Sequence, residues 1–106
     1  MQSKVYLTGA GAGDVELLTL KAARVIKEAD VIIYDKLANP EILNMASENC
    51  EFIFVGKESG HHMVPQETIN EIIYQSALKY KTVVRLAGRD PFVLGGGAEE
   101  ARIPRL

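Results

Sequence analysis

Two side chains of opposite charge stand where predicted strands of this chain end. Asp35 follows the β-branched run Val31–Tyr34, and Lys57 follows the apolar run at residues 52–56. If these strands are parallel neighbours, both side chains lie at one rim of a sheet, where a carboxylate and an amine can act as base and acid. Position alone also allows a surface ion pair or two solvated charges, so the spacing leaves these alternatives open.

Two glycine-rich loops also follow predicted strands. The first spans residues 9–14 and the second spans residues 88–97, which includes an Asp90-Pro91 turn. Glycine lets the backbone approach a ligand closely, and aspartate and proline favour a fixed turn. Loops at the carboxyl ends of strands in open α/β sheets bind small molecules. The two loops therefore predict a small-molecule site.

The first loop resembles a dinucleotide-binding fingerprint only in part. In the pattern G-x-G-x-x-G the last glycine would stand at position 14, which is Asp14. An aspartate at a helix N-terminus competes with pyrophosphate for the same backbone amides. We therefore expect Asp14 to cap a helix, and we expect the ligand of this loop not to be a phosphate anion.

The remaining residues that could react or bind a metal are few. His61 and His62 are adjacent, and neighbouring residues seldom share a face, so no zinc site is expected. Cys50 is the single cysteine, which excludes an internal disulfide and favours a reducing cytoplasm. Nothing near Cys50 in the sequence would lower its pKa, and we interpret it as a small apolar residue.

The composition is that of an ordinary globular protein. The chain has 106 residues, 47% hydrophobic and 25% charged, with a net charge of −2. This charge gives no general attraction to nucleic acid or membrane surfaces. No apolar run approaches membrane-spanning length, and the N-terminus does not resemble a signal peptide. The length suits one domain with one core.

Strand and helix patterns alternate along the chain. We predict strands at residues 4–7, 31–34, 52–55 and 82–86, and helices at residues 15–29, 40–46 and from 65 onward. This order predicts an α/β fold, with a doubly wound, mostly parallel sheet and helices on both faces. Residues 99–102 look like the start of another helix that Pro104 would break, which suggests a domain cut from a longer protein.

Several motifs together resemble the tetrapyrrole methylases, and within them the uroporphyrinogen-III C-methyltransferases. The motifs are V-Y-L-T-G-A-G-A-G-D at 5–14, V-I-I-Y-D-K-L at 31–37, V-G-K at 55–57 with G-H-H at 60–62, P-Q-E at 65–67 with I-N at 69–70, and Gly88 with D-P-F-V at 90–93. The resemblance runs from Val5 to about Glu100. Sister enzymes that methylate later corrin intermediates share the glycine loops but generally lack this combination.

The resemblance implies a longer, two-domain enzyme that is usually a homodimer. Such an enzyme transfers methyl groups from S-adenosyl-L-methionine to two pyrrole carbons of uroporphyrinogen III, giving precorrin-2 for sirohaem and cobalamin. It implies that Asp35 is the proton acceptor and Lys57 the proton donor. The residues implied to contact the methyl donor are Ala12, Gly88, Arg89, Asp90 and Val93.

Three departures from the family pattern shape these expectations. Ala12 stands where the family usually has proline, and Arg89 puts a long cation where glycine would allow close approach to a cationic sulfonium. The chain, taken as a single domain over residues 1–106, lacks the second domain, so we expect it to be inactive alone. Two alternatives to the methylation of uroporphyrinogen III stay open: a non-catalytic tetrapyrrole- or nucleoside-binding module, and a methylase of a later corrin intermediate.

Overall fold

The computed structural model describes residues 2–9, 18–36, 38–56, 64–87 and 98–104. Five strands and three helices lie within these ranges. In chain order they are β1 (Gln2–Gly9), α1 (Leu20–Glu28), β2 (Val31–Tyr34), α2 (Pro40–Leu43), β3 (Glu51–Phe54), α3 (Gln66–Lys79), β4 (Thr82–Ala87) and β5 (Ala98–Pro104).

The strands form one sheet in the order β3-β2-β4-β1-β5. The first four strands in this order run parallel, and β5 runs antiparallel to β1. Asp30 fixes the start of the pairing between β2 and β4, because its Oδ2 accepts the Thr82 N–H at 2.9 Å and its own N–H donates to the Thr82 carbonyl. The prediction of a mostly parallel α/β sheet is confirmed.

Helices cover both faces of the sheet, because alternate strand residues point to opposite sides. On the face of α1 and α2 the buried residues are Tyr6, Val25, Ile26, Ala29, Ile32, Ala38, Ile42, Cys50, Val84 and Leu86. On the face of α3 they are Val5, Val31, Ile33, Val55, Ile69, Ala77 and Val83. This division is the one that right-handed crossovers produce. The chain passes along the sheet from β1 through β2 to β3 and then returns in the opposite direction through α3 to β4, so α3 lies on the other face from α1 and α2.

The first helix begins later than the sequence predicts. Residue 15 was the predicted start, but α1 begins at Leu20, and Leu18 forms an isolated bridge. Thr19 has an extended backbone, and its Oγ1 accepts the Ala22 N–H at 3.0 Å. A threonine that caps a helix in this way satisfies one of the free amides of the first turn, so the helix starts there. Asp14, the predicted cap, lies outside the described residues.

The second helix confirms its predicted cap and is shorter than expected. Asn39 Oδ1 accepts the Glu41 N–H at 2.9 Å, and Pro40 occupies the first turn, where its missing N–H leaves no hydrogen bond unmade. The helix ends at Leu43 rather than at residue 46. Because α2 starts at Pro40, it lies a few residues after the end of β2, near Asp35.

The prediction of a helix start at residues 99–102 is wrong. These residues lie in β5, which pairs with β1 from Gln2 opposite Pro104 to Thr8 opposite Ala98. Without β5, β1 would present an unpaired row of backbone groups, and strand pairing satisfies them. Pro104 lies at the end of an edge strand, a position where proline is tolerated.

Candidate functional site

Four parallel strands end at the same rim of the sheet. Tyr34, the last residue of β2, lies opposite Phe54 of β3 on one side and Leu86 of β4 on the other. Gly9, the last residue of β1, lies opposite Ala87 of β4. The ends of β1 and β4, which lead into the two glycine-rich loops, are therefore neighbours. The ends of β2 and β3 are also neighbours, and β2 lies next to β4.

The described residues include one of the predicted site residues, Asp35. The others lie outside the described ranges: Ala12, Lys57, Gly88, Arg89, Asp90 and Val93. The strands that precede these residues in the chain end at one rim, and the roles of the residues themselves stay predictions. His61 and His62 also lie outside, and the described part of the chain holds no cluster of three or more histidine, cysteine or acidic residues that could bind a metal.

Asp35 lies just beyond β2 with its side chain 21% exposed. Its carbonyl accepts the Ala38 N–H at 3.1 Å, which closes a turn towards α2. Its carboxylate Oδ2 lies 3.7 Å from Nη2 of Arg85, on the neighbouring strand β4. The carboxylate that the sequence singled out is thus held at the rim, partly accessible and beside a cation.

Arg85, which the sequence did not single out, lies beside Asp35 at this rim. Its side chain is 13% exposed, and its Nη1 donates to the Leu86 carbonyl at 2.8 Å and lies 3.5 Å from the Ile33 carbonyl. A charge buried to this degree needs polar partners, and the rim supplies them. The available signal was an arginine inside an otherwise apolar strand, residues 82–87.

Gly56 lets the chain leaving β3 pass against the segment that follows Asp35. The Val55 N–H donates to the Tyr34 carbonyl at 2.8 Å, which extends the pairing past the end of β3. A Cβ at position 56 would lie 2.8 Å from the backbone nitrogen of Lys36 and closer still to the Phe54 ring. Glycine is therefore required where the chain turns towards residue 57.

Replacing Gly56 with alanine is expected to lower the free energy of unfolding by roughly 1–3 kcal/mol, because the Lys36 backbone must move to admit the methyl group. Urea unfolding of Gly56→Ala and of the parent chain measures the difference. Thr68→Ala, at an exposed position of α3, is the matched control and should change the unfolding free energy little. Equal unfolding free energies for the parent and Gly56→Ala would contradict the close approach.

Cys50 behaves as the sequence suggested. It is buried beneath α2, and its Sγ donates to the Glu51 carbonyl at 3.4 Å. Burial, together with the nearby carboxylates of Asp30 and Glu51, raises the pKa of its thiol to about 11. A thiol that stays protonated at neutral pH is a poor nucleophile.

Residues 4–105 match the family model of the tetrapyrrole (corrin/porphyrin) methylases. The chain belongs to the tetrapyrrole methylases. A siroheme synthase of Yersinia pestis is 54% identical over 99 residues, which cover 93% of this chain and 21% of that protein. The uroporphyrinogen-III C-methyltransferase of Methanocaldococcus jannaschii is 53% identical over 100 residues, which cover 94% of this chain and 41% of that protein. This chain therefore spans well under half the length of these tetrapyrrole methylases.

Solved structures of tetrapyrrole methylases share the fold. The uroporphyrin III C-methyl transferase of Thermus thermophilus superimposes with a TM-score of 0.67 at 47% identity, covering 86% of this chain and 38% of the other. The Thermus thermophilus enzyme complexed with S-adenyl homocysteine gives a TM-score of 0.64 at 42% identity, covering 85% and 34%. A cobalt precorrin-4 methyltransferase gives a TM-score of 0.61 at 26% identity, covering 77% and 32%.

Within the described ranges, none of the helices has the length and apolar character needed to cross a membrane.

Proposed function

We propose that this chain supplies the catalytic rim of an S-adenosyl-L-methionine-dependent uroporphyrinogen-III C-methyltransferase, which forms precorrin-2 for sirohaem and cobalamin. The observation that carries the proposal is the 53% identity to the Methanocaldococcus jannaschii enzyme over 94% of this chain. The alternative of a methylase for a later corrin intermediate has weaker support. The cobalt precorrin-4 methyltransferase is 26% identical, whereas the Thermus thermophilus uroporphyrin III enzyme is 47% identical.

The strand order fits a donor site between the two glycine-rich loops. Because Gly9 and Ala87 are paired on adjacent strands, the loops that follow β1 and β4 can close on one ligand. Ala12 lies in the first loop, and Gly88, Arg89, Asp90 and Val93 lie in the second. The complex of the Thermus thermophilus relative with S-adenyl homocysteine supports S-adenosyl-L-methionine as the donor, and the assignment of these residues to its site is our proposal.

The charges of the second loop act in opposite directions on a cationic donor. The carboxylate of Asp90 attracts a sulfonium, whereas the guanidinium of Arg89 repels it. A productive loop therefore requires Arg89 to direct its charge away from the sulfonium while its backbone contacts the ligand.

The reaction assigns distinct tasks to Asp35 and Lys57. S-adenosyl-L-methionine supplies an activated methyl group, so the protein mainly holds the pyrrole carbon in line with it. Transfer of the methyl group from the sulfonium leaves one positive charge on the macrocycle, so each transfer releases one proton overall. Any proton that the macrocycle takes up while its double bonds rearrange is matched by a further proton that it loses. Asp35 accepts the proton that leaves, and Lys57 donates the proton that enters.

We also infer that the complete enzyme is a homodimer in the cytoplasm, as the family resemblance implies. The lone Cys50, buried and unable to form an internal disulfide, suits a reducing compartment.

The 106-residue chain by itself is expected not to methylate, because it spans 41% of the Methanocaldococcus jannaschii relative and further donor contacts are expected from the remaining length. The test uses a joined enzyme, in which this chain replaces the matching 100-residue segment of that relative. Both proteins are incubated with uroporphyrinogen III and methyl-labelled donor. The joined enzyme should transfer label at a rate near that of the parental relative, and the short chain should not.

Two results would contradict this account. Turnover by the short chain at a normal enzymatic rate would show that the remaining length is unnecessary. A folded joined enzyme that binds S-adenosylhomocysteine in calorimetry but transfers no methyl group would favour a non-catalytic binding module.

A further inference from the structure

We propose that Arg85 is a positioning residue, whose guanidinium holds the Asp35 carboxylate in the orientation needed to accept a proton. The inference rests on the proposed function, because it assumes that Asp35 is the proton acceptor.

The strand register brings Arg85 and Asp35 together. Arg85 lies opposite Ile33, and Asp35 follows Ile33 by two residues, so the two side chains are diagonal neighbours on one side of the sheet. The guanidinium spans the gap between β4 and β2, with 2.8 Å to the Leu86 carbonyl on its own strand and 3.5 Å to the Ile33 carbonyl on the next. These contacts give the cation a fixed location beside the carboxylate.

The contact between Arg85 and Asp35 is electrostatic. Its 3.7 Å separation is longer than a hydrogen bond, so the guanidinium attracts the carboxylate without a short bond to that oxygen. Arginine remains charged at all working pH values. With the two side chains 13% and 21% exposed, water screens this attraction less than it screens a surface pair.

The location of Arg85 argues against a role as a substrate anchor. It shares a side of β4 with Val83, which is buried under α3, and its side chain is less exposed than that of Asp35. A group that binds the carboxylates of uroporphyrinogen III must reach solvent, and Asp35 is the more accessible member of the pair. Arg85 therefore acts through Asp35 rather than on the substrate.

The test measures kcat and KM of the joined enzyme with Arg85→Met, Arg85→Lys, Asp35→Asn and the double variant Arg85→Met/Asp35→Asn. Arg85→Met should lower kcat by roughly 10–100-fold, because a misplaced reacting group costs about this much, while KM for uroporphyrinogen III stays within about 2-fold. Arg85→Lys should recover part of kcat. In the Asp35→Asn background, Arg85→Met should lower kcat no further. Arg24→Met is the matched control, because Arg24 also pairs with a carboxylate but is 53% exposed on α1.

The outcomes separate this inference from the proposed function. If Asp35→Asn lowers kcat but Arg85→Met raises only KM, or changes neither constant, the positioning role is overturned and the acid–base assignment stands. An equal loss from Arg85→Met in the parent and in the Asp35→Asn background also overturns it. If Asp35→Asn leaves kcat unchanged, the assignment of Asp35 fails and the positioning role fails with it. Should Arg85→Met not fold, Arg85→Lys decides, measured alone and together with Asp35→Asn. A kcat lowered by Arg85→Lys only when Asp35 is present supports the positioning role, whereas an unchanged kcat with a raised KM indicates anchoring and overturns it.

Discussion

Replacing Asp35 with asparagine is expected to lower kcat of the joined enzyme by roughly 10²–10⁴-fold, the usual loss on removing a proton-transfer group. Asparagine keeps the shape of aspartate but cannot accept the proton that leaves the macrocycle. Steady-state kinetics with uroporphyrinogen III measures kcat, and calorimetry with S-adenosylhomocysteine should show unchanged donor binding.

The matched control for this change is Glu48→Gln, which neutralises an exposed acid between α2 and β3. Its kcat should equal that of the parent. A wild-type kcat for Asp35→Asn would remove Asp35 from the mechanism, whereas a loss of donor binding would mean that the change damages the rim as a whole.

Replacing Lys57 with methionine is expected to lower kcat sharply, by a factor within the same range of roughly 10²–10⁴, while the donor still binds. Methionine has a similar length but no proton to give. The competing role for Lys57 is an electrostatic anchor for substrate carboxylates, and loss of uniform binding raises KM and leaves kcat unchanged. Separate values of kcat and KM therefore decide between these roles.

Lys21→Met, at an exposed position of α1, is the matched control for the loss of a positive charge. If Lys57→Met and Lys21→Met show the same kcat and only Lys57→Met raises KM, Lys57 is an anchor and not the proton donor.

The strands and the sheet were predictable from the sequence because their signals are local. Val31–Tyr34 is a β-branched run, and the structure gives a strand with these bounds. The apolar faces of α1 and α3 follow helical spacing, and the alternation of strands and helices fixes right-handed crossovers. Asn39 capped its helix as expected because capping depends on residues close in the chain.

Features that depend on distant partners were not predictable in the same way. β5 forms because it pairs with the otherwise free edge of β1, and the residues at 98–104 carry no pattern that would predict this pairing. Arg85 meets Asp35 because β4 lies between β1 and β2, a strand order that sequence spacing alone does not define. The cap of α1 at Thr19 was not predicted, although its threonine is a common capping residue, and the predicted cap Asp14 lies outside the described residues.

The sequence predicted which edge of the sheet Asp35 occupies. Asp35 lies past the end of β2, next to the segment that leads to residue 57, as the sequence indicated. The roles of Asp35, Lys57 and the five donor-loop residues stay predictions, and the kinetic variants test those of Asp35 and Lys57.

The most direct test of the proposed function is the mass of the product that the joined enzyme forms from uroporphyrinogen III and S-adenosyl-L-methionine. The account predicts a product with two added methyl groups that matches precorrin-2, and no such product from the Asp35→Asn variant in the same reaction time. Recovery of unmethylated uroporphyrinogen III from a folded joined enzyme that binds S-adenosylhomocysteine would contradict it.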